Sequence, residues 1–452
     1  MTTNSALPVR DTDVLVVGGG SAGVAAAVAA AEEGARTVLA EASGSVGGTL
    51  AWQLLEHSAG FHDVRGEQVT GGFGQRLVER LMEIGASPGH IRDDVGYTAS
   101  RTPVDHAALA LTQSVMLDEA GVRVWLQSPI VDATAGDDAR LTAVRVHTLA
   151  GSRIVRAAVV IDASGDAAAA ALAGASFQTD TSARQPASLL FKLGGVDLAL
   201  LLRHLREHPD QVRPGSVIGE DDADHVNVWG LGGLLAEGHE RGELRLRRTE
   251  MHLAGWPRRG EVVVNVTRTR AEDAEEGLGL AHAELGRQVF EFVRWFRNRV
   301  PGFGSCHLSA VGDRVGVRES RRVLGLYTMN AADVRTGSPF DDTIGRGAFP
   351  IDIHSDDSPG LSHTDPVGSG FEIPYRILVP AGLGNLLVAG RCVSSTHEAN
   401  GSLRITATCF TTGEAAGVAA AHAAASGKRV EDIDVTALQD SLRSRGARLA
   451  PS

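Results

Sequence analysis

The hydrophobic pattern is sharpest near the start of the chain. Residues 14–17 form an unbroken apolar run that stops on glycine, residues 21–33 are mostly small or apolar, and residues 37–40 form a second apolar run. Short apolar runs bounded by glycine predict buried strands, and the small residues between them predict a helix. Farther on, residues 70–86 place Leu77, Leu81 and Ile84 on one helical face, and residues 104–120 read as another helix. A strand follows at 122–126. Three further runs at 130–133, 141–147 and 153–161, separated by turns, have the pattern of a meander.

The character changes between about residues 185 and 309. Arg, His and Glu become frequent, the glycine fingerprints stop, and strand-like runs at 188–193 and 261–267 alternate with a helical run at 285–299. The tail returns to the first pattern: residues 385–391 read as a buried strand ending in glycine, and residues 403–426 as a helix rich in Ala, Gly and Thr, closed by Gly427. The expected fold class is α/β. A discontinuous Rossmann-like domain of residues 1–184 and 310–452 is interrupted by an inserted α+β cap of residues 185–309.

Composition removes several classes of function. The 452 residues suffice for a large core, and a net charge of −12 argues against a nucleic-acid-binding face. Of the 43 basic residues only Lys192 and Lys428 are lysines, which suggests a GC-rich bacterial genome. Cys306, Cys392 and Cys409 form neither a CxxC pair nor a metal-ligand spacing, so no metal is expected and a cytoplasmic location is. No stretch approaches the ~18 apolar residues of a membrane span, and no apolar leader is visible at the N-terminus. Association with further identical chains is left open.

The first turn carries chemistry. Gly18-x-Gly20-x-x-Gly23 joins the strand to the helix, and the next strand ends on Glu41. Gly18 permits the tight turn, Gly20 lets backbone approach a pyrophosphate, and Gly23 lets the helix pack closely on the strand. Phosphates then meet unpaired N–H groups at the positive end of a helix, and Glu41 can accept from both hydroxyls of an adenosine ribose. The loop Ala42-Ser43-Gly44-Ser45-Val46-Gly47-Gly48 is either a second backbone approach to the same ligand or a flexible turn. Ile161-Asp162-Ala163-Ser164-Gly165-Asp166 is either a third approach or an Asx-type turn. Gly230-Leu231-Gly232-Gly233 lacks the spacing of a second dinucleotide site.

The segments VVGGGSAGVAAAVAA (16–30), GSVGGT (44–49), VVIDASGDAAAAALAGA (159–175), GVRESRRVLGLY (316–327), FPIDIH (349–354), IPYRILVP (373–380) and NLLVAGRCVSSTHEANGSLRITATCFTTGEAAGVAAA (385–421) lie along almost the whole chain. Together they resemble FAD-dependent oxidoreductases with a glutathione-reductase-type FAD domain, in particular bacterial flavoproteins related to the flavin subunit of heterodisulfide reductase. The resemblance implies FAD as cofactor. By position, Gly18, Gly20, Gly23 and Glu41 would hold its ADP half, and Gly47, Gly48 and Thr49 would lie along the pyrophosphate and ribityl chain with Gly165 and Asp166 nearby. Gly390 and Arg391 would touch the cofactor, and the Leu403–Ile405 turn would set a helix N-terminus beside the flavin. The cysteine-rich iron–sulfur motifs of those relatives are missing here, so cluster-based electron transfer and disulfide reduction are not expected.

Isoalloxazine would supply redox chemistry and the protein would supply orientation, a base and charge stabilisation. Four places offer such groups. Arg318-Glu319-Ser320-Arg321-Arg322 is an anion clamp or a salt-bridge network at the domain junction. His354 is a base or a hydrogen-bonded structural histidine. His397-Glu398-x-Asn400-Gly401-Ser402-x-Arg404 suits a helix-capping loop, which would not account for His397 and Arg404 together. His397 is expected as the base and Arg404 as the cation that offsets developing charge. His57 either attaches the flavin covalently, lines the pocket or sits in a loop. The run Arg241-Gly242-Glu243-Leu244-Arg245-Leu246-Arg247-Arg248 mixes both signs and reads as a solvated face rather than a ligand-facing patch. The expected activity is a dehydrogenase or oxidase acting on a small or medium organic substrate. The alternative is a flavin-binding electron-transfer subunit with no small-molecule substrate of its own.

Overall fold

A computed structural model describes residues 7–449 of the chain, except 94–97, 180–183, 215–217, 220–222, 272–274, 355–361 and 364–367. The first unit forms as its pattern dictates: strand β1 (Val9–Val17), helix α1 (Ser21–Glu32) and strand β2 (Thr37–Ala40). β1 and β2 run parallel, which requires the helix as crossover. The meander strands Ile130–Ala135, Leu141–Thr148 and Gly151–Asp162 pair antiparallel, and the last of them crosses back to lie parallel to β1. Strand Leu386–Val388 joins the other end of Gly151–Asp162, so the C-terminal part of the chain completes a sheet begun by the N-terminal part. The Rossmann-like domain is therefore discontinuous.

Small residues decide how the layers meet. α1 is nearly all alanine, glycine and valine, and it is buried along most of its length. Helix Thr406–Ser426 packs along it with Gly413 against the Ala22 carbonyl and Gly417 against the Ala26 carbonyl. A Cβ at either glycine would overlap those carbonyls, so contact at this backbone distance is available only to glycine. The helix expected over 403–426 runs from Thr406 to Ser426, and a separate short helix, His397–Leu403 capped by Thr396, precedes it. Residues 397–404, expected to converge on the substrate or to form a capping loop, are mostly helical themselves, with Arg404 at the break.

The inserted domain holds a five-stranded antiparallel sheet ordered Val226–Gly230, Met251–Trp256, Glu261–Asn265, Phe191–Gly194, His307–Val311. Four of its strands are largely buried on both faces, while His307–Val311 is mostly exposed, and their residues alternate with period two. Val226, Val228, Met251, Leu253, Val262, Val264, Phe191 and Leu193 point into a separate core with Phe292, Trp295 and Phe296 of helix Gly277–Arg299. The intervening residues face the other way. They include Asn227, Trp229, His252, Trp256, Asn265 and Lys192, polar or amphipathic groups set among the apolar Ala254 and Val263. Among the described residues no helix is long and apolar enough to cross a membrane.

Candidate active site

The parallel strands end level with one another. Val17 pairs with Ala40 and with Asp162, and Val388 also pairs with Asp162, so the turns that follow these positions share one edge of the sheet. Gly18, Gly20, Gly23, Glu41, Gly165, Asp166, Gly390 and Arg391 all lie in or beside those turns, and the 44–49 loop reaches them through Gly47 N–H, which donates to the Gly19 carbonyl at 2.9 Å. Ligands of open α/β sheets bind at this carboxyl edge.

Two helix N-termini open on the same edge. α1 begins after Gly20 and Thr406–Ser426 after Ile405, and no side chain caps either. Ala22 faces Gly413 and Ala26 faces Gly417, so the two helices run parallel, and the second starts six residues further back. At 1.5 Å per residue this stagger is about 9 Å. Two positive ends on one side, separated along their common axis, suit a long anionic ligand better than a compact one. Gly18, at φ +96°, lies in the backbone region that favours glycine, and its Cα faces the Ala163–Ser164 backbone too closely for a side chain. Glu41 accepts from Gly19 N–H at 2.5 Å and Ser43 N–H at 2.6 Å, which holds its carboxylate at the end of β2. Arg391 and Asp166, both expected at the cofactor, pair with each other at 2.7 Å. Thr49 is exposed in the first turn of helix Gly48–Trp52, Leu403 is buried, and Ile405 precedes the long helix.

A second group of residues lies where the cap meets this domain. His354 and Arg404 are brought together by two shared partners. Gln185 Oε1 accepts from His354 N–H at 3.1 Å and from Arg404 Nη2 at 3.3 Å, while Asp352 lies 3.3 Å from His354 Nε2 and 3.2 Å from Arg404 Nη2. From the cap side, Arg268 Nη2 donates to His354 Nδ1 at 3.4 Å. Burial and the charge of Arg318 push the His354 pKa down to about 3 against the opposing pull of Asp352, so the imidazole is neutral at physiological pH. The same surroundings push Arg318 down to about 9, through burial and then Arg404.

His397 stands apart from this pair. It opens the short helix that Arg404 closes, seven residues and about 10 Å away along the axis. Its Nδ1 lies 2.8 Å from Glu319, which also pairs with Arg322 at 3.1 Å. The hydrogen bond to Glu319 raises the His397 pKa. The same contact orients the ring and makes it a stronger base than a free imidazole. The Arg318–Arg322 cluster divides accordingly: Glu319 and Arg322 form the salt-bridge network, Ser320 and Arg321 bond Asp166, and Arg318 turns to Pro186 and Ser188 at the cap boundary.

Sequence reasoning passed over the cap's contribution. Arg248, read as part of a solvated run, is buried, although Arg241, Arg245 and Arg247 of that run are exposed. His57 lies in strand His57–Ala59 with its ring 4.9 Å from that of His252, which stacks at 4.4 Å on Trp229, itself covered by Arg213 at 4.3 Å. The signal was present as period-two alternation of His252, Trp229 and Asn265 with aliphatic residues. Assigning that face required knowing that both faces of the sheet are covered.

A family model for FAD dependent oxidoreductases matches residues 13–442. The chain belongs to the FAD-dependent oxidoreductase family. Its cofactor is FAD and the protein is an enzyme of that kind. The residues at the carboxyl edge fit the cofactor, because glycine-lined backbone and two uncapped, staggered helix ends share that edge. No curated protein matches the sequence. Among solved structures, a geranylgeranyl bacteriochlorophyll reductase-like protein from Thermoplasma acidophilum is similar at 14% identity, covering 98% of this chain and 84% of that one with a TM-score of 0.48. A myxobacterial chondrochloren halogenase is similar at 12% identity, 96% and 79% coverage and a TM-score of 0.46. The p-nitrophenol 4-monooxygenase of Pseudomonas putida is similar at 11% identity, 97% and 85% coverage and a TM-score of 0.44.

Proposed function

We propose that this FAD-dependent oxidoreductase is a dehydrogenase or oxidase that transfers a hydride between a small or medium organic substrate and the flavin, with the substrate held between the cap and the FAD domain. The supporting observation is the convergence of a neutral His354 and the fixed cations Arg404 and Arg318 beneath the polar face of the cap sheet. Bound FAD supplies the hydride acceptor or donor. Within this reading His354, whose Nδ1 accepts from Arg268 and whose Nε2 faces Asp352, orients the substrate, and Arg404 offsets the negative charge that develops there. His397, its ring oriented by Glu319 at the far end of the short helix, takes the proton that must leave the substrate. Gly18, Gly20, Gly23 and Glu41 hold the ADP half of FAD, and Gly47, Gly48, Thr49, Gly165, Asp166, Gly390, Arg391, Leu403 and Ile405 line its path.

The cap in this reading comprises residues 185–309 together with the end of strand His307–Val311. The relation to the heterodisulfide reductase flavin subunit rests on the motifs at 316–327, 349–354 and 385–421. The test is anaerobic: the FAD-loaded protein is mixed with a panel of metabolites and the flavin absorbance followed. Bleaching by a small molecule supports the proposal. Reduction by a protein donor alone would assign an electron-transfer subunit instead.

A further inference from the structure

The seam between cap and FAD domain contains a small, water-sized recess of about 10 Å³, open on one side and lined by Trp229, Arg248, Asn265, Arg268, Arg318 and His354. Its chemistry is one-sided. Arg248 is 93% buried by the complement of its 7% exposure, yet no described group accepts from its Nε or Nη1. Trp229 is nearly as buried, and its Nε1–H also lacks an acceptor. The nearby Glu250 is engaged by Arg213 at 2.6 Å, and Asp352 is shared between Arg404 and His354. The described residues thus bring Arg248, Arg318 and Arg404 to one seam whose nearby carboxylates, Glu250 and Asp352, are already engaged.

A buried cation without a partner costs stability, and a buried donor without an acceptor does too. Proteins keep such groups where a ligand completes them. Guanidinium Nε and Nη atoms form a planar fork that matches an oxyanion, and an indole N–H can only donate. The missing ligand must therefore present acceptors and carry negative charge. We propose that the substrate is an organic acid whose carboxylate binds in this recess against Arg248, with Trp229 Nε1 and Arg318 completing its shell. This rests on the hydride-transfer reading above and adds the substrate class. Repulsion from neighbouring arginines is consistent with it: Arg248 is pushed down to about 10 by burial and then by Arg268, a strain that an anion would relieve.

The probes are benzoate and butyrate, their neutral amides, and phenyl phosphate, titrated by calorimetry into the FAD-loaded protein. The acids are expected to bind and the amides not to. Arg248→Met is expected to weaken acid binding by about tenfold or more, the loss of one charge-assisted contact, while FAD content is retained. Arg318→Lys, which keeps charge and loses the fork, should give a smaller loss. Arg248→Met should also raise the Tm of the ligand-free protein, since it removes an unmatched buried charge, whereas a structural arginine would lower it. No acid binding at millimolar concentration, equal binding of acid and amide, preference for phenyl phosphate, or a lowered Tm in Arg248→Met would each overturn the proposal. Because the readout is binding, its failure is separable from that of the hydride-transfer reading. Acids that bind while no metabolite bleaches the flavin would sink the latter alone, and bleaching by a neutral metabolite without acid binding would sink the former alone.

Discussion

The imidazole of His397 and the carboxylate of Glu319 lie 2.8 Å apart, the carboxylate buried and the ring partly so, and this contact raises the histidine's pKa. Glu319→Gln keeps the shape and removes the charge, so the His397 pKa should fall back toward its ordinary value. The sign follows from linkage. A raised histidine pKa contributes stability that is fully present below the unfolded value near 6.5 and is lost as pH rises through the folded value. Wild type should therefore lose more stability than Glu319→Gln between pH 6.5 and higher pH. NMR titration of the His397 ring checks the pKa, and an unchanged value in the variant would remove Glu319 as its cause.

Other histidines act in the opposite direction. Burial pushes His57 and His90 down to about 4 and His354 to about 3, and it holds His225 and His252 well below 6.5. Below pH 6.5 the unfolded chain binds protons that the folded chain refuses, so stability falls as pH falls from 6.5 toward 4. Each such histidine contributes up to about 1.4 kcal/mol per pH unit. Tm should drop steeply over this window, and His90→Gln should flatten the drop. A Tm that is level from pH 7 to pH 5 would contradict the burial of these rings in solution.

The FAD domain was legible because its signals are local. Val14 to Glu41 carries the strand, turn, helix and acid within one crossover, and each residue type is dictated by backbone geometry there. That the tail rejoins the N-terminal sheet was also legible from its repeated strand–helix pattern, although its pairing with the interior strand Gly151–Asp162 was not. The cap was not legible in the same way. Arg248 is separated from exposed Arg247 by one residue step, and a mixed charge run says nothing about which member turns inward. The roles of His354 and His397 depend on Asp352, Arg318 and Glu319, partners fixed by tertiary packing, so their protonation could not be read from spacing.

Gly413 and Gly417 let two helices touch backbone to backbone, and that contact fixes the stagger of the two uncapped N-termini. Gly417→Val should push the helices apart at a cost of about 3 kcal/mol or more. The long helix would then move relative to α1, and FAD retention should fall along with stability. The check is the ratio of flavin to protein absorbance after purification, together with the Tm. A variant with full flavin content and wild-type Tm would show that the two helices do not need this close approach.

Glu56 is the polar pin between the two domains. Its side chain is fully buried and accepts from Lys192 Nζ at 2.5 Å, His106 Nδ1 at 2.6 Å and Trp256 Nε1 at 2.9 Å, so donors from both the cap and the FAD domain converge on one carboxylate. Burial alone would raise its pKa, but the bonds from His106, Lys192 and Trp256 outweigh burial and hold it below its ordinary 4.5. A depressed carboxylate contributes stability that is present above 4.5 and is lost as pH falls through the folded value. Lys192→Met leaves a buried acid short of its cation and should cost about 3–5 kcal/mol, whereas replacing both partners with apolar groups of similar size is often nearly neutral. Lys192→Met with Glu56→Leu should therefore recover much of the loss seen in Lys192→Met alone, even though it removes one more polar group. Urea denaturation of the two single variants and the double variant measures this coupling. A double variant less stable than Lys192→Met would mean that His106 and Trp256, rather than Lys192, are what Glu56 is kept buried to bind.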